Sequence, residues 1–307
     1  MARSFADKQG RANAKYYSSK GKAIYSDFST FAQGRALSKS NAIEFVRDFS
    51  MHNAPIIVCE YGVGKGDFAK NFLDEVKKQD RILYAKIRYQ LFDISEKMLS
   101  DAKKNLAAHG EICSFGTFNA ASNSPLLKFD YCRINELLSD LPAEIYSRQN
   151  GQIFDASGKE VRAPDLFTQK FLERIDLRRK IPFNFAAQQF LLSLCKLGKP
   201  NFRIDLFDYG FYSADDIFSM PVDEWNRVIA RKYGSQITVD LNFLQLSSAL
   251  RAEGFSVAVE MQKTYAEKVL GMPLEISHTK KGLDYVKKKE QDGSTEDDGF
   301  MHLQIGR

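Results

Sequence analysis

The sequence predicts an α/β fold in which a mostly parallel sheet is flanked by helices. Three observations support this prediction. Short apolar, β-branched runs alternate with helical patterns between residues 55 and 134, a rhythm typical of doubly wound sheets. A glycine-rich turn follows the first of these runs. The rhythm breaks after Pro142 and resumes near residue 202, which indicates an insertion after the fourth strand.

The N-terminal residues 1–40 are polar and rich in serine, glycine and lysine. This composition predicts a partly ordered arm that lays aromatic side chains on the main domain. Those aromatics are Tyr16, Tyr17, Tyr25, Phe28 and Phe31. A helix is expected to follow over residues 41–50, with Ser40 or Asn41 as its cap.

Four short strands are expected next, separated by helices or turns. In order, they are residues 55–60, 87–93, 111–118 and 129–134. The segment DFAKNFLDEVKKQ predicts a helix after the first strand. A second helix is expected after the second strand, with Ser95 as its cap and Gly110 as its stop.

The stretch after Pro142 combines a hairpin-like segment, GQIFDASGKEVRAP, with basic helical material. It predicts an inserted substrate or lid segment, residues 143–185. The chain is thereby divided into an arm (1–40), a main domain (41–142 and 186–307) and this insertion.

The sheet is expected to resume with a buried helix that stops at Gly198 and Pro200, followed by a strand over 202–210. A further helix, a stop at Gly254 and another strand are expected in LNFLQLSSALRAEGFSVAVEM. The charged residues 280–298 predict a solvated loop. The final FMHLQIGR alternates in polarity, which is typical of an edge strand.

Charge and cysteine content disfavour several classes of protein. The 44 basic and 39 acidic side chains leave a net charge of +5, a smaller excess than non-specific nucleic-acid binding usually needs. The four cysteines include no CxxC pair, so we expect buried free thiols in a reducing compartment and no metal site. No stretch resembles a signal peptide or approaches the roughly 20 apolar residues of a membrane span. A cytoplasmic protein is expected, and a homodimer is compatible with the sequence.

The glycine-rich turn has the form acid-x-G-x-G-x-G, with Glu60, Gly62, Gly64 and Gly66 at the fixed positions. Glycine lets the backbone pass close to a ligand because it has no Cβ. Dinucleotide sites use G-x-G-x-x-G and bind a pyrophosphate. The carboxylate of Glu60 would repel a pyrophosphate but suits a sulfonium and an ammonium. The spacing and the acid together predict S-adenosylmethionine as the cofactor, and with it the Rossmann-like methyltransferase fold.

Three further residues are expected at the cofactor. Asp93 ends the second predicted strand, where an acid can accept hydrogen bonds from both ribose hydroxyls. Ile94 would then lie against one face of the adenine. Asn119 follows the third strand and could reach the adenine amine.

Several segments resemble the MidA-like methyltransferases. CEYGVGKGDFAKNFL is similar to that family's E-I-G-P-G-x-G opening, with Val63 in place of the proline. Residues 135–142 (NELLSDLP) resemble its N-E-x-x-D-A-L-P stretch, with Ser139 where its aspartate stands. Residues 207–210 (FDYG) match its D-Y-G, and residues 236–240 (QITVD) resemble its D-I-T-x-x-V-D-F region. The mitochondrial branch of the family is associated with protein arginine methylation, so the resemblance implies a protein arginine acceptor.

Three residues at predicted strand ends are candidates for the acceptor side. Glu136 and Asp208 are expected to face the crevice beyond the carboxyl ends of the strands, where a carboxylate would orient a cationic acceptor. Asn135 could hydrogen-bond the substrate. The structural alternatives are a helix-start acid for Glu136, a loop-capping acid for Asp208 and a turn cap for Asn135.

The leading hypothesis is therefore an S-adenosylmethionine-dependent methyltransferase acting on a protein side chain. A small-molecule O- or N-methyltransferase is the second hypothesis, and a pocket closed by the insertion would favour it. A non-catalytic assembly or binding module on the same fold is the third. Nucleic-acid methylation is disfavoured because residues 135–138 lack a proline-aromatic motif.

Overall fold

The computed structural model describes residues 4–20, 29–175, 178–279, 282–288 and 299–307. The strands, in chain order, are β1 Ile56–Tyr61, β2 Ile87–Asp93, β3 Cys113–Thr117, β4 Phe129–Asn135, β5 Glu144–Gln149, β6 Gln152–Asp155, β7 Glu160–Val161, β8 Ile181–Phe183, β9 Gly198–Phe211, β10 Ala230–Tyr233, β11 Gln236–Val239, β12 Leu241–Asn242, β13 Ser256–Met261, β14 Leu274–Thr279, β15 Gly282–Lys287 and β16 Phe300–Gly306.

Helices lie before the first strand and in several of the connections between the others. The α-helices are α1 Phe5–Lys20, α2 Ala36–Phe49, α3 Asp67–Gln79, α4 Arg81–Lys86, α5 Glu96–Asn105, α6 Leu166–Arg174, α7 Phe185–Cys195, α8 Ala214–Phe218, α9 Val222–Val228, α10 Phe243–Ala252 and α11 Gln262–Leu270.

The central sheet has the strand order β3-β2-β1-β4-β9-β16-β13, and the short β12 also pairs with β9. The strands β3, β2, β1, β4 and β9 are parallel, whereas β16 runs antiparallel to both of its neighbours. This mostly parallel sheet, with helices on both faces, confirms the predicted Rossmann-like fold.

Alternating side chains of the sheet fill two cores. On one face, Val58 and Tyr89 pack with Phe45 of α2 and Phe72 of α3. On the other face, the apolar sides of α7 and α10 cover β4, β9 and β16. From β1 the chain first adds β2 and β3 on one side, and it then adds β4 and β9 on the other side. Ligands of open α/β sheets bind at such a switch point, beyond the carboxyl ends of the strands.

The insertion after the fourth strand is a small antiparallel sheet of its own, in the order β7-β6-β5-β8, together with α6. The predicted hairpin is found in β5, β6 and β7. Its apolar face, including Ile145 and Phe183, packs against Phe211, Ile217 and Trp225 of the segment that follows β9.

The N-terminal arm is more regular than expected, and the predicted cap of the next helix was wrong. The described part of the arm contains a 16-residue helix, α1, in which Tyr16 is buried; Tyr25 and Phe28 lie outside the described residues. The next helix begins at Ala36, so Ser40 and Asn41 lie inside it and neither caps it. The Asn41 amide donates instead to Tyr131 Oη (2.5 Å) and Asp205 Oδ2 (3.0 Å), and these buried partners outweigh its preference for a cap.

Several later boundaries also differ from the predictions. Ser95 caps α5 as expected, by accepting a hydrogen bond from Met98 N, but α5 ends at Asn105 and Gly110 closes a separate 3₁₀ turn. Gly198 begins β9, with Pro200 in its first residues, because α7 has already ended at Cys195.

The C-terminal half contains two more corrections. Residues 282–287, expected in a solvated loop, form β15 in a hairpin with β14, while residues 289–298 lie outside the described residues. The last strand, β16, is internal rather than an edge strand, since it pairs with both β9 and β13.

The four cysteines are free, and three of them, Cys59, Cys132 and Cys195, are buried. Within the described residues there is no cluster of His, Cys, Asp and Glu suited to a metal ion. None of the described helices is long and apolar enough to cross a bilayer.

Candidate functional site

A cavity of about 850 Å³ lies at the carboxyl ends of the central strands. Its wall includes the glycine turn after β1, the ends of β2, β4 and β9, one side of α1, and several residues between 216 and 240. Small-molecule sites usually measure roughly 300–1,000 Å³. The cavity therefore has room for a cofactor with a second group beside it.

The glycine turn is held in a conformation that side chains resist. Gly62, Gly64 and Gly66 have φ values of 76°, 56° and 80°, the left-handed region that glycine enters at little cost. A Cβ on Gly62 would lie 3.1 Å from Leu137 Cβ, and one on Gly66 would lie 3.1 Å from Leu106 Cδ1. Gly66 also occupies the N-cap position of α3. The turn brings bare backbone to the cavity.

Asp93 ends β2 and lies in the cavity wall beside this turn. Its Oδ2 accepts a hydrogen bond from Gly64 N (2.9 Å) and its Oδ1 from Ser95 N (2.8 Å). Burial raises the pKa of Asp93 to about 6. The next residue, Ile94, lines the same part of the cavity with Phe118, and Asn119 follows there. Asn119 Oδ1 accepts a hydrogen bond from Ala121 N (3.0 Å).

Glu60 reaches the cavity wall, but its carboxylate is paired within the protein. Arg133 Nη1 on β4 lies 3.2 Å from Glu60 Oε2, and Tyr89 Oη donates to the same oxygen. The Arg133 guanidinium is fully buried between the rings of Phe68 and Phe72, 4.0 Å from each centroid. Burial raises the pKa of Glu60, and the charge of Arg133 opposes that rise. Sequence reasoning did not foresee this ion pair.

Glu136 is the first residue beyond β4 and lines the cavity. Its Oε1 accepts hydrogen bonds from Thr30 Oγ1 (2.7 Å), Phe31 N (3.0 Å) and Asn135 Nδ2 (3.2 Å). Its backbone has a φ of 48°, which is uncommon for a side chain larger than glycine and typical of functional sites. Burial raises the pKa of Glu136 to about 7.

Asn135 and Asp208 are placed differently. Asn135 lines the cavity, and within the described residues its buried Oδ1 has no hydrogen-bond partner. Asp208 does not face the crevice as expected. Its Oδ2 accepts from Leu138 N (2.9 Å) and Ser139 N (3.1 Å), and its Oδ1 accepts from Tyr209 N (3.0 Å). These three backbone donors turn the fully buried carboxylate toward the loop after β4, which is the loop-capping alternative.

Residues 41–195, half of the chain, match the sequence profile of the family described as "Putative S-adenosyl-L-methionine-dependent methyltransferase". The chain belongs to this family. The protein is thus an S-adenosylmethionine-dependent methyltransferase. No curated protein matches the chain by sequence.

Solved structures share the fold of this methyltransferase. A COG1565-superfamily protein from Burkholderia thailandensis, bound to S-adenosyl-homocysteine, is 13% identical with a TM-score of 0.69, over 99% of this chain and 88% of that one. A native COG1565-superfamily structure from the same organism is 13% identical with a TM-score of 0.62, over 100% and 94%. The plantazolicin methyltransferase BpumL, in complex with S-adenosyl-homocysteine, is 11% identical with a TM-score of 0.50, over 99% and 96%.

The charge of the cavity fits the methyltransferase cofactor. Among the described residues, six carboxyl side chains line it: Glu60, Asp93, Glu136, Asp140, Asp216 and Asp240. The basic side chains in the wall are Arg231 and His278, and Arg231 forms an ion pair with Asp240. S-adenosylmethionine carries a sulfonium and an ammonium, which an acidic wall attracts. The bare glycine backbone leaves room for the close approach of a ligand.

Sequence reasoning missed a second group of wall residues, Tyr17, Asp140 and Gln236. Tyr17 Oη donates to Asp140 Oδ2, and Gln236 Nε2 donates to Asp140 Oδ1 (2.7 Å). Burial raises the pKa of Asp140 to about 6. The only signal for two of them was the family resemblance, in which Asp140 and Gln236 fall within matched segments. Tyr17 stood among the aromatics of the arm with nothing to distinguish it.

The described part of the inserted segment, which was expected to be a substrate or lid segment, lies outside the cavity wall. None of its described residues between 143 and 185 lines the cavity. The wall on that side consists of residues such as Phe211 and Trp225. The insertion supports this wall from behind, where Lys180 O accepts a hydrogen bond from Trp225 Nε1 (2.8 Å).

Proposed function

We propose that this methyltransferase acts on a nitrogen of a protein side chain, and that the side chain is arginine. The single observation behind the proposal is the acidic wall of the cavity, in which four carboxyls form no ion pair with a Lys or Arg of the described residues: Asp93, Glu136, Asp140 and Asp216. Because the cofactor is cationic, one or two carboxylates would suffice for it alone. The remaining acids favour a second cation beside it. The resemblance to the MidA-like methyltransferases points to the same acceptor.

The cofactor side of the cavity is proposed to lie over β1, β2 and β3. Gly62, Gly64 and Gly66 would hold the methionine part against the backbone, and Asp93 would accept hydrogen bonds from the ribose. The adenine would lie between Ile94 and its neighbours, with Asn119 at its edge. Glu60 would act through Arg133, by fixing the end of β1 from which the glycine turn departs.

The acceptor side is proposed to lie over the end of β4. When bound, the cofactor supplies an electrophilic methyl group on its sulfonium. Glu136 would accept hydrogen bonds from N–H groups of the acceptor guanidinium. These bonds would keep the positive charge of the guanidinium away from its attacking nitrogen. Its pKa of about 7 also lets the carboxylate take up the proton which that nitrogen loses. Asn135 would add an acceptor oxygen, and holding donor and acceptor in line would supply much of the rate enhancement.

The test begins with calorimetry of S-adenosylmethionine on the wild type, Asp93→Ala and Gly64→Val. Both variants should lose binding at least tenfold, roughly the effect of one charged hydrogen bond. Gly158→Val is the matched control, because Gly158 also has a positive φ, 82°, but lies in an open turn with nothing within 4 Å of its Cβ position. Unchanged binding in Asp93→Ala would exclude the proposed ribose contact.

The acceptor is then sought with methyl-labelled cofactor in a cell extract. Label recovered as methylarginine after acid hydrolysis of protein would support the proposal, and label on another protein residue would contradict the arginine assignment. Glu136→Gln should retain cofactor binding and lose labelling by about a hundredfold, within the range for a positioned acid-base group.

A small-molecule acceptor is the second candidate. The wall beyond Glu136 contains the aromatic side chains Phe211 and Trp225, and such walls are typical of small-ligand sites. Label that passes a protein-retaining filter as a methylated small compound would favour this candidate. A pocket closed by the insertion would have favoured a small-molecule acceptor, but no described residue of the insertion lines the cavity.

A further inference from the structure

The N-terminal helix α1 is attached to the cavity by buried amide side chains. Gln9 Nε2 donates to Ser139 O (3.2 Å) and Ile237 O (3.3 Å), and Gln9 Oε1 accepts from Ala143 N (2.9 Å). Gln9 is fully buried. Glutamine is seldom fully buried in proteins, so this face of α1 is built for directed contacts rather than for apolar packing.

Asn13, one turn further along α1, repeats the arrangement. Its Nδ2 donates to Asp140 O (2.8 Å) and Ile237 O (2.7 Å), while its Oδ1 accepts from Ile237 N (2.8 Å). Gly10 lies between the two amides against Pro142, with 3.0 Å between its Cβ position and Pro142 Cγ. Hydrogen bonds are directional, so these contacts fix the rotation and the register of α1 over the loop after β4.

Because side chains four positions apart share a helix face, this register directs Tyr17 at the Asp140 carboxylate. Tyr17 Oη donates to Asp140 Oδ2, and Gln236 Nε2 donates both to Asp140 Oδ1 (2.7 Å) and to Tyr17 Oη (2.8 Å). Asp140 is 8% exposed and lies in the cavity wall. Its carboxylate is thus held on both oxygens by neutral donors, and no Lys or Arg of the described residues forms an ion pair with it.

The same part of the cavity wall contains a hydrogen-bond acceptor that has no donor. Gln236 is 97% buried (3% exposed) and lines the cavity, and within the described residues its Oε1 has no hydrogen-bond partner. A buried polar atom without a partner destabilises the folded protein, and a ligand that donates a hydrogen bond to it would remove that penalty. Each oxygen of Asp140 also keeps lone pairs that Tyr17 and Gln236 do not use.

We propose that Tyr17, Asp140 and Gln236 form the subsite that receives the methyl-accepting side chain, a cationic group with several N–H donors. Asp140 and Gln236 Oε1 bind that cation directly, whereas Tyr17 is a positioning residue that sets the plane of the Asp140 carboxylate. The N-terminal helix is therefore part of the acceptor site. This inference rests on the proposed function, because it assumes a cationic nitrogen acceptor.

The experiment measures binding of two probes to the protein saturated with S-adenosyl-homocysteine. The probes are N-acetyl-arginine amide and its neutral isostere N-acetyl-citrulline amide, titrated by NMR. The wild type should prefer the arginine probe, and Asp140→Asn should weaken that probe by about tenfold, the effect of one hydrogen bond to a charged group. Affinity for S-adenosylmethionine should stay within about twofold, which separates the subsite from a general loss of structure.

Tyr17→Phe should weaken the arginine probe less, by about threefold, because Gln236 still holds the carboxylate. Asp215→Asn is the control, since Asp215 is exposed on α8. Should Asp140→Asn fail to fold, Tyr17→Phe decides: a weaker arginine probe supports the subsite and an unchanged one overturns it. If Asp140→Asn still prefers the arginine probe as strongly as the wild type does, the subsite is overturned and the cationic acceptor is not. A wild type that binds both probes equally overturns the cationic acceptor itself, and the subsite with it.

Discussion

Gly62 combines two constraints that a side chain would violate. Its φ is 76°, and a Cβ would lie 3.1 Å from Leu137 Cβ. Gly62→Ala should therefore lower the free energy of unfolding by about 1–3 kcal/mol and weaken S-adenosylmethionine at least tenfold, because Leu137 must shift at the cavity wall. Urea unfolding and calorimetry measure the two effects.

The matched control separates backbone strain from crowding. Gly158 has a φ of 82° with no atom within 4 Å of its Cβ position, so Gly158→Ala carries the strain alone. Equal losses of stability in the two variants, with the cofactor affinity of Gly62→Ala unchanged, would contradict the role given to Leu137.

The buried Glu60–Arg133 pair makes a prediction at the same scale. Arg133→Met would leave the Glu60 carboxylate buried without its countercharge, and breaking such a pair usually destabilises a protein by about 3–5 kcal/mol. The double variant Glu60→Leu, Arg133→Met removes both charges and should unfold at higher urea than Arg133→Met alone. A double variant less stable than the single one would show that the two side chains act independently.

At the level of single residues, the sequence predicted what local spacing determines. The glycines at 62, 64 and 66 and the acid at 93 lie in the cavity wall or its turn because a strand, a turn and a helix follow one another directly. Arg133 and Tyr17 were missed because their partners lie 73 and 123 positions away. A pattern read along the chain contains no signal for such pairs. Asp208 was misplaced for a related reason, since two of its three backbone donors, Leu138 N and Ser139 N, come from another loop.

Among the elements, the last strand is the one whose place in the fold differs most from the sequence prediction. β16 lies between β9 and β13, and Leu303 at its centre is fully buried. Leu303→Ala should lower the free energy of unfolding by about 2–5 kcal/mol, as expected of a core leucine. Val257→Ala on the true edge strand β13, where the side chain is only partly buried, should cost clearly less.

Urea midpoints of the two variants test this placement. A tolerant Leu303→Ala would restore the edge-strand interpretation of the C-terminus. The polarity pattern of FMHLQIGR was itself misleading, because the residues that broke its apolar run, such as His302, are buried with partners. His302 Nε2 lies 2.9 Å from Asp205 Oδ1.

Elements were predictable where one buried face sets the pattern. The helix over 67–79 and the strand over 87–93 fell at the expected residues. The helix buries one face against the sheet, and every second side chain of the strand is buried. The sequence predicted a partly ordered arm and no helix where α1 lies, because the buried face of α1 carries Gln9 and Asn13 beside Tyr16. Hydrophobic periodicity cannot register a face that is buried by hydrogen bonds.

On the scale of the whole molecule, the cavity draws its wall from parts of the chain far apart in sequence. The turn after β1, the loop after β4, the N-terminal helix and the segment after β9 meet there. Folding thereby brings together carboxyl groups that lie far apart in a sequence whose acidic and basic residues are nearly balanced. The buried carboxyls whose pKa is raised by burial include Asp93 and Asp140, each to about 6, and Glu136 and Asp208, each to about 7.

This gathering of acids predicts how stability depends on pH. The carboxyls ionise near pH 4 in the unfolded chain, so between about pH 4 and 7 the folded protein binds more protons. Each excess proton lowers the free energy of unfolding by up to about 1.4 kcal/mol per pH unit as the pH rises. Asp205 opposes this trend only below pH 4. Burial alone would raise its pKa, but the charge of Arg203 outweighs burial and holds that pKa well below the usual range.

Urea unfolding without cofactor should therefore give a higher free energy of unfolding at pH 5.5 than at pH 7.5. Asp140→Asn should show a shallower slope, because it removes one of the titrating groups. A wild type that is more stable at pH 7.5 would mean that these carboxyls are ionised in the folded protein at their ordinary pKa.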